Sequence, residues 1–178
     1  MGYTAKNIIT QARKFEEASL LLEQKTIEMT KLQNSTNPVS IQRQSTDGYI
    51  EPSLALFGFS LELYLKAIFL HENGKPTCGH EIPKLYEKLG SESKTSIKES
   101  FENSTQQYLI DNCSFFGENN YSQISFEESL EQLSDLFVKV RYIYEYPKME
   151  KNLSLREPVR QAIINRINQL QIIHYPLD

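Results

Sequence analysis

Residues 51–70 read EPSLALFGFSLELYLKAIFL, and this stretch decides the fold of the chain. Thirteen of the seventeen residues from 54 to 70 are apolar, which is too long a run for one strand and predicts a helix. A helix that is apolar on nearly every side lies either at the centre of a bundle or across a membrane. Because Glu62 and Lys66 occur in its middle, where a bilayer would penalise both charges, we predict the centre of a bundle and no membrane span.

Glu62 and Lys66 are four residues apart, so they share one face of this helix in the favourable order, acid first. A helical wheel places them beside Ala55, Phe59 and Phe69, which are residue types of a protein core. A buried charge without a partner is strongly destabilising, so we expect partners from another helix. Two interpretations remain open, a structural ion pair and a polar functional site.

The rest of the chain predicts amphipathic helices around this one. We expect them at residues 4 to about 32, 83–89, 93 to about 112, from 126 up to Pro147, and from Pro158 to about 173. Thr4 is the expected N-cap of the first helix, and Ser125 with Glu128 forms a capping box. Pro52 fits the first turn of the central helix and Gly74 fits its exit. The predicted fold is all-α, an antiparallel up-and-down bundle of five to six helices in one domain, residues 1–178.

Composition restricts the function classes. The 178 residues carry a net charge of −4, which argues against a protein that coats nucleic acid. Cys78 and Cys113 have no CxxC spacing, and Cys78 with His80 lacks a second pair of ligands, so we expect no disulfide framework, metal or cofactor. No signal-peptide pattern occurs in the first ten residues, which predicts a cytoplasmic protein.

The charge is distributed unevenly along the chain. Residues 139–166 contain seven Lys and Arg against three Glu, whereas residues 1–138 contain twelve basic against nineteen acidic residues. A basic end could contact phosphates or an acidic surface of a second subunit. The commoner explanation for such a stretch is solvated helix ends.

Three stretches together resemble the HEPN superfamily (higher eukaryotes and prokaryotes nucleotide-binding). They are FSLELYLKA at 59–67 followed by a glycine-containing turn, HEIPKLYEKL at 80–89, and RYIYE at 141–145. The resemblance implies an antiparallel helical bundle, a homodimer, and a role around RNA, toxin–antitoxin pairs or defence.

Catalytic HEPN ribonucleases carry an Arg-x4–6-His motif, and this chain departs from it. After Arg141 the positions for that histidine hold Tyr146, Pro147 and Lys148, while Arg166 and His174 are separated by one residue too many. Without an imidazole at the motif there is no evident general acid or base. We therefore expect a protein that is not a ribonuclease.

The residues that remain predict a polar cluster. We expect Glu62 to pair with Arg141, and Lys66 to pair with Glu145, edged by Tyr142 or Tyr144. His80 belongs to the resembling stretch and joins the candidate site, with a local role of hydrogen bonding at the start of the short helix. Such a cluster could bind the phosphate or base of a nucleotide, or it could only fix the register of the helices.

Three functions follow from these patterns. The first is a non-catalytic HEPN-like dimer that binds RNA, a nucleotide or a partner protein. The second is a divergent ribonuclease or nucleotide-modifying enzyme that uses Arg141, Glu145 and Tyr144 or Tyr146. The third is a regulatory module that acts through protein contacts alone, for which an exposed apolar patch would be evidence.

Overall fold

The computed structural model describes residues 4–35, 49–111, 125–141 and 155–172. Within these ranges the side chains of 32–35, 107–111, 135–139 and 141 are not described. The described residues contain six helices. They are α1 (Ala5–Ser35), α2 (Ile50–Asn73), α3 (Ile82–Glu87), α4 (Ser91–Asp111), α5 (Phe126–Arg141) and α6 (Arg156–Gln169). These residues form no strand, and the prediction of an all-α helical bundle is confirmed.

The predicted central helix, α2, contacts α1, α3, α5 and α6. Its side chains at Leu61, Tyr64, Leu65 and Ile68 are fully buried, in one apolar cluster to which all six helices contribute. α1 and α2 run antiparallel, because Ser53 hydrogen-bonds to Glu23 near the start of α2 and Tyr64 bonds to Glu16 further along it. α4 and α6 are also antiparallel, and the prediction of an up-and-down order stays a prediction for the other helices.

Both predicted N-terminal caps form. The Asn7 N–H donates to Thr4 Oγ1 at 3.2 Å, which satisfies one of the free donors at the start of α1. At α5 the Glu128 N–H donates to Ser125 Oγ at 3.2 Å, while the Ser125 N–H donates to Glu128 Oε2 at 2.8 Å. This reciprocal pair is a capping box.

Glycine ends α2 as predicted. Gly74 has φ +65°, the left-handed conformation that favours glycine, and its N–H donates to the Leu70 carbonyl at 2.9 Å. Pro52 lies in the first turn of α2 as predicted, whereas α6 begins two residues before Pro158, the residue predicted to start it. The third position of a helix still lies in the first turn, where an N–H has no partner within the helix, so proline is tolerated there.

The last helix ends earlier than predicted. α6 ends at Gln169, although the apolar spacing continues to Ile173. α5 is described as far as Arg141, and the predicted continuation to Pro147 lies outside the described residues. The predicted connections around 38–48, 112–124 and 148–154 lie outside them as well.

By length and composition α2 could cross a membrane. In this fold 61% of its most apolar window is buried inside the protein, as expected for the central helix of a soluble bundle.

Candidate functional site

Glu62 lies in the middle of α2 and is only 4% exposed. Lys66 Nζ, one turn further along α2, donates to Glu62 Oε1 at 2.7 Å. The His80 Nδ1 atom lies 3.0 Å from the same oxygen. The described partners therefore come from α2 itself and from the connection between α2 and α3.

His80 also has a different role from the local one predicted for it. It precedes Glu81, the N-cap of α3, but its ring contacts Glu62 instead of bonding at the start of α3. Two features of the chain make this contact reachable. The first is length. Between Glu62 and Gly74 the helix rises about 18 Å, and the six residues from Gly74 to His80 can span about 20 Å when extended, which is enough to return to the level of Glu62. The second is a glycine. Gly79, at φ +110°, immediately precedes the histidine.

The two carboxylate oxygens of Glu62 are in different situations. Both donors meet Oε1, whereas the buried Oε2 has no hydrogen-bond partner among the described residues. Lys66 is 18% exposed and His80 70% exposed, so the cluster opens to solvent on its histidine side. The cluster therefore combines one unused acceptor, one cation and one accessible imidazole ring.

The other predicted members of the site lie outside the described side chains. Arg141 is the last described residue of α5, and Tyr142, Tyr144 and Glu145 follow it. The neighbouring Val140 packs against Leu54 in α2, two turns before Glu62. Pairing of Glu62 with Arg141, and of Lys66 with Glu145, stays a prediction.

The described arginines of the basic 139–166 segment are not solvated helix ends. Each is at most 21% exposed in its side chain and pairs with an acidic residue of the same chain. Arg156 pairs with Glu23, Arg160 with Glu16 and Glu157, and Arg166 with Glu92. These three arginines are therefore neutralised by acidic residues of their own chain and are not available to phosphates.

Glu16 is the centre of a second buried cluster that the sequence did not predict. It is 7% exposed; Tyr64 Oη donates to its Oε2 at 2.5 Å, and Arg160 Nε donates to its Oε1. Burial, then the hydrogen bond and charge of Glu16, raise the pKa of Tyr64. Burial alone would lower the pKa of Arg160, but Glu16 and Glu157 raise it on balance.

Two further polar networks join helices. Arg156 Nη2 donates to Glu23 Oε2 at 2.8 Å, and Glu23 Oε1 also accepts from Ser53. At the other end of α2, Glu72 accepts from the Gly90 N–H at 2.9 Å and from Ser93 Oγ. These contacts tie α1, α2, α4 and α6 together, which is a structural use of charge.

Two surface grooves lie away from Glu62. One, of about 370 Å³, is lined by Tyr86, Lys98 and Glu127 among others. The second, of about 480 Å³, lies between α4 and α6, where Ser96 donates to Gln169 at 2.6 Å and Asn165 donates to Ser100 at 2.8 Å. In the described residues no three His, Cys, Asp or Glu side chains gather as metal ligands.

Comparison of the chain with models of protein families, with curated proteins and with solved structures finds no match.

Proposed function

We propose that this chain is a HEPN-like helical bundle protein that binds RNA or a nucleotide without cleaving it, at the cluster of Glu62, Lys66 and His80. The observation that carries the proposal is the buried Oε2 of Glu62, which has no hydrogen-bond partner among the described residues and lies beside a lysine and an exposed imidazole. A buried carboxylate oxygen without a partner is costly, and a ligand that donates N–H groups relieves that cost.

The chemistry of the three side chains fits a nucleotide. Base edges present amino and imino donors that a carboxylate accepts, and unstacked bases stack on exposed rings such as histidine. The Lys66 ammonium can donate to a phosphate oxygen while it stays beside Glu62. His80 lies in the helix-free connection 74–81, and its largely exposed ring forms the open side of the cluster.

The proposed location, oligomeric state and cellular role rest on the HEPN resemblance alone. It includes a cytoplasmic homodimer with a role in nucleic-acid metabolism, a toxin–antitoxin pair or defence. Arg141, Tyr142, Tyr144 and Glu145 belong to the proposal as predicted neighbours of the site. The internal pairing of the described arginines means that Lys66, and not the basic segment as a whole, is the cation on which the proposal rests.

Fluorescence anisotropy with short single-stranded RNA and with single nucleotides tests the proposal at low and physiological salt. We expect wild-type binding that weakens with salt. Glu62→Gln should weaken it by about tenfold or more, because a hydrogen bond to a charged group is worth about 1.5–3 kcal/mol. Lys66→Met should weaken binding and flatten its salt dependence.

Lys98→Met is the matched control, because Lys98 also pairs with a glutamate, Glu127 at 3.3 Å, but lies on α4. It should bind as wild type does. Arg141→Ala tests whether the predicted neighbour belongs to the site. Absence of binding at both salt concentrations, or equal binding by the Lys66 and Lys98 variants, would refute the proposal.

A specific observation also supports the enzymatic alternative, a divergent ribonuclease or nucleotide-modifying enzyme. The Arg-x4–6-His motif is absent, but the fold brings an imidazole to a buried carboxylate. A carboxylate that accepts from Nδ1–H orients a histidine so that Nε2 can take a proton from a substrate hydroxyl. RNA cleavage that His80→Gln abolishes would favour the ribonuclease, and intact RNA with the wild-type protein would exclude it.

A further inference from the structure

Three of the four large apolar side chains that are exposed in the described chain lie on α1. They are Leu20 (48%), Leu21 (65%) and Ile27 (54%), which lie on two turns of the helix, and the fourth is Tyr49 (39%) before α2. Single exposed apolar residues are ordinary, but a group of this kind marks a contact surface.

Leu20 and Ile27 belong to a regular stripe. Glu17, Leu20, Gln24, Ile27 and Lys31 are spaced by three and four residues in alternation, the period with which helices pack along one another. All five are exposed, on a side of α1 that adjoins its buried residues Ile9, Ala12, Glu16 and Ser19. The bundle therefore leaves the stripe uncovered.

The charges of the stripe identify its partner. Glu17 lies seven residues before Gln24 and Lys31 seven after it, each about 10.5 Å along the helix. Neither Glu17 nor Lys31 has an ion-pair partner within the described part of the chain. Two such helices, placed antiparallel about a two-fold axis at Gln24, set each Glu17 opposite a Lys31.

The same two-fold axis brings the apolar side chains together. With a 100° turn per residue, Leu20 of one copy and Ile27 of the other fall on the same side of the interface and at the same height. Gln24 meets its own copy at the centre, where a polar residue can fix the register of paired helices. The stripe is thus complementary to itself, as the interface of a two-fold dimer must be.

We propose that the α1 stripe of Glu17, Leu20, Gln24, Ile27 and Lys31 is a homodimer interface, in which a second copy of this chain binds antiparallel through its own α1. This names the surface of the homodimer in the proposed function, but it rests on α1 and not on the Glu62 cluster. Loss of RNA binding with the dimer intact would refute only the ligand site, and the reverse result would refute only this interface.

Sedimentation equilibrium over a range of protein concentrations tests the interface. We expect the wild type to dimerise and Ile27→Glu to raise the dissociation constant of the dimer about tenfold or more, because it places a charge in the apolar contact. Gln11→Glu adds the same charge to an exposed position of α1 outside the stripe and should leave the dimer unchanged. Circular dichroism checks that each variant keeps its helices.

A charge exchange tests the antiparallel register itself. E17K alone and K31E alone should each weaken the dimer, since like charges then face each other, and the two substitutions together should restore it. A wild type that is monomeric at every concentration, or an Ile27→Glu variant that dimerises as well as wild type, would overturn the interface. A double variant that dimerises no better than either single variant would overturn the antiparallel pairing.

Discussion

Two buried glutamates of this protein, Glu16 and Glu62, have opposite surroundings. Glu16 uses both carboxylate oxygens, one with Tyr64 and one with Arg160, and so joins α1, α2 and α6. Glu62 has two donors on one oxygen and none on the other among the described residues, and its neighbour His80 is largely exposed. Both sites cost desolvation, but only the first is fully compensated by hydrogen bonds.

This difference distinguishes Glu16, a structural residue, from Glu62, a candidate binding residue. A satisfied network between helices holds the fold together, and its residues have no capacity left for a ligand. A half-satisfied carboxylate at an open edge gives less stability than it could, which is typical of sites kept for binding. Substitutions at the two glutamates and their partners should therefore give effects of very different size.

The largest loss of stability is expected from Arg160→Met. It leaves Glu16 buried without its cation, for which a cost of about 3–5 kcal/mol is typical. Chemical denaturation monitored by circular dichroism measures it. The double variant Glu16→Gln, Arg160→Met should recover part of the loss, because the uncompensated charge is gone. If Arg160→Met were as stable as wild type, Glu16 would not be the structural centre described above.

Tyr64→Phe should destabilise the protein by about 1–3 kcal/mol, because it removes the hydroxyl that donates to buried Glu16 at 2.5 Å. Tyr86→Phe is the matched control in the same denaturation experiment. Burial raises the pKa of Tyr86 to about 12, and its hydroxyl donates to the Lys94 carbonyl at 3.1 Å in a partly buried position. We expect a smaller loss there, and equal losses would mean that the carboxylate of Glu16 adds nothing.

The fold was more predictable from the sequence than these networks. Local signals predict the helices. They are the apolar run at 51–70, the caps at Thr4 and Ser125, and the glycine at position 74, and each corresponds to the predicted helix or helix end in the structure. The pair of Glu16 with Arg160 joins positions 144 residues apart, with no spacing or motif to connect them. Long-range pairs depend on which faces the helices turn to one another, and that emerges only from packing the whole bundle.

The candidate site was predictable in part. The i,i+4 spacing predicted that Glu62 and Lys66 share a face, and in the structure Lys66 Nζ lies 2.7 Å from Glu62 Oε1. The sequence did not predict the contact of His80 with Glu62, because the position of His80 just before α3 predicted a hydrogen bond at the start of that helix instead. The length of the extended connection after Gly74, compared with the rise of α2, was the signal that could have found it.

The exposed Glu128 forms a capping box with Ser125, and the stability that this pair contributes can be compared with that of the two buried glutamates. Ser125→Ala should cost about 1 kcal/mol through loss of the N-cap of α5. The backbone and side-chain hydrogen bonds of Ser125 lower the pKa of Glu128 below its ordinary value of 4.5. The stability from this pair is therefore present above pH 4.5 and is lost as the pH falls through the lowered pKa. Stability measured against pH should fall less steeply in the acidic range for Ser125→Ala, and an unchanged slope would contradict the capping box.

The smallest change in stability is expected at Glu62 itself, although it is as buried as Glu16. Glu62→Met removes a buried oxygen that has no partner in the described part of the chain and fills the same volume with an apolar side chain, so stability should change by less than about 1 kcal/mol or increase. Lys66, left without its acid, is already 18% exposed and can turn to water. Glu16→Met, which breaks a satisfied network, should cost several times more in the same denaturation series. Equal losses at the two positions would mean that Glu62 is structural as well, and nucleotide binding would then have to be sought elsewhere on the protein.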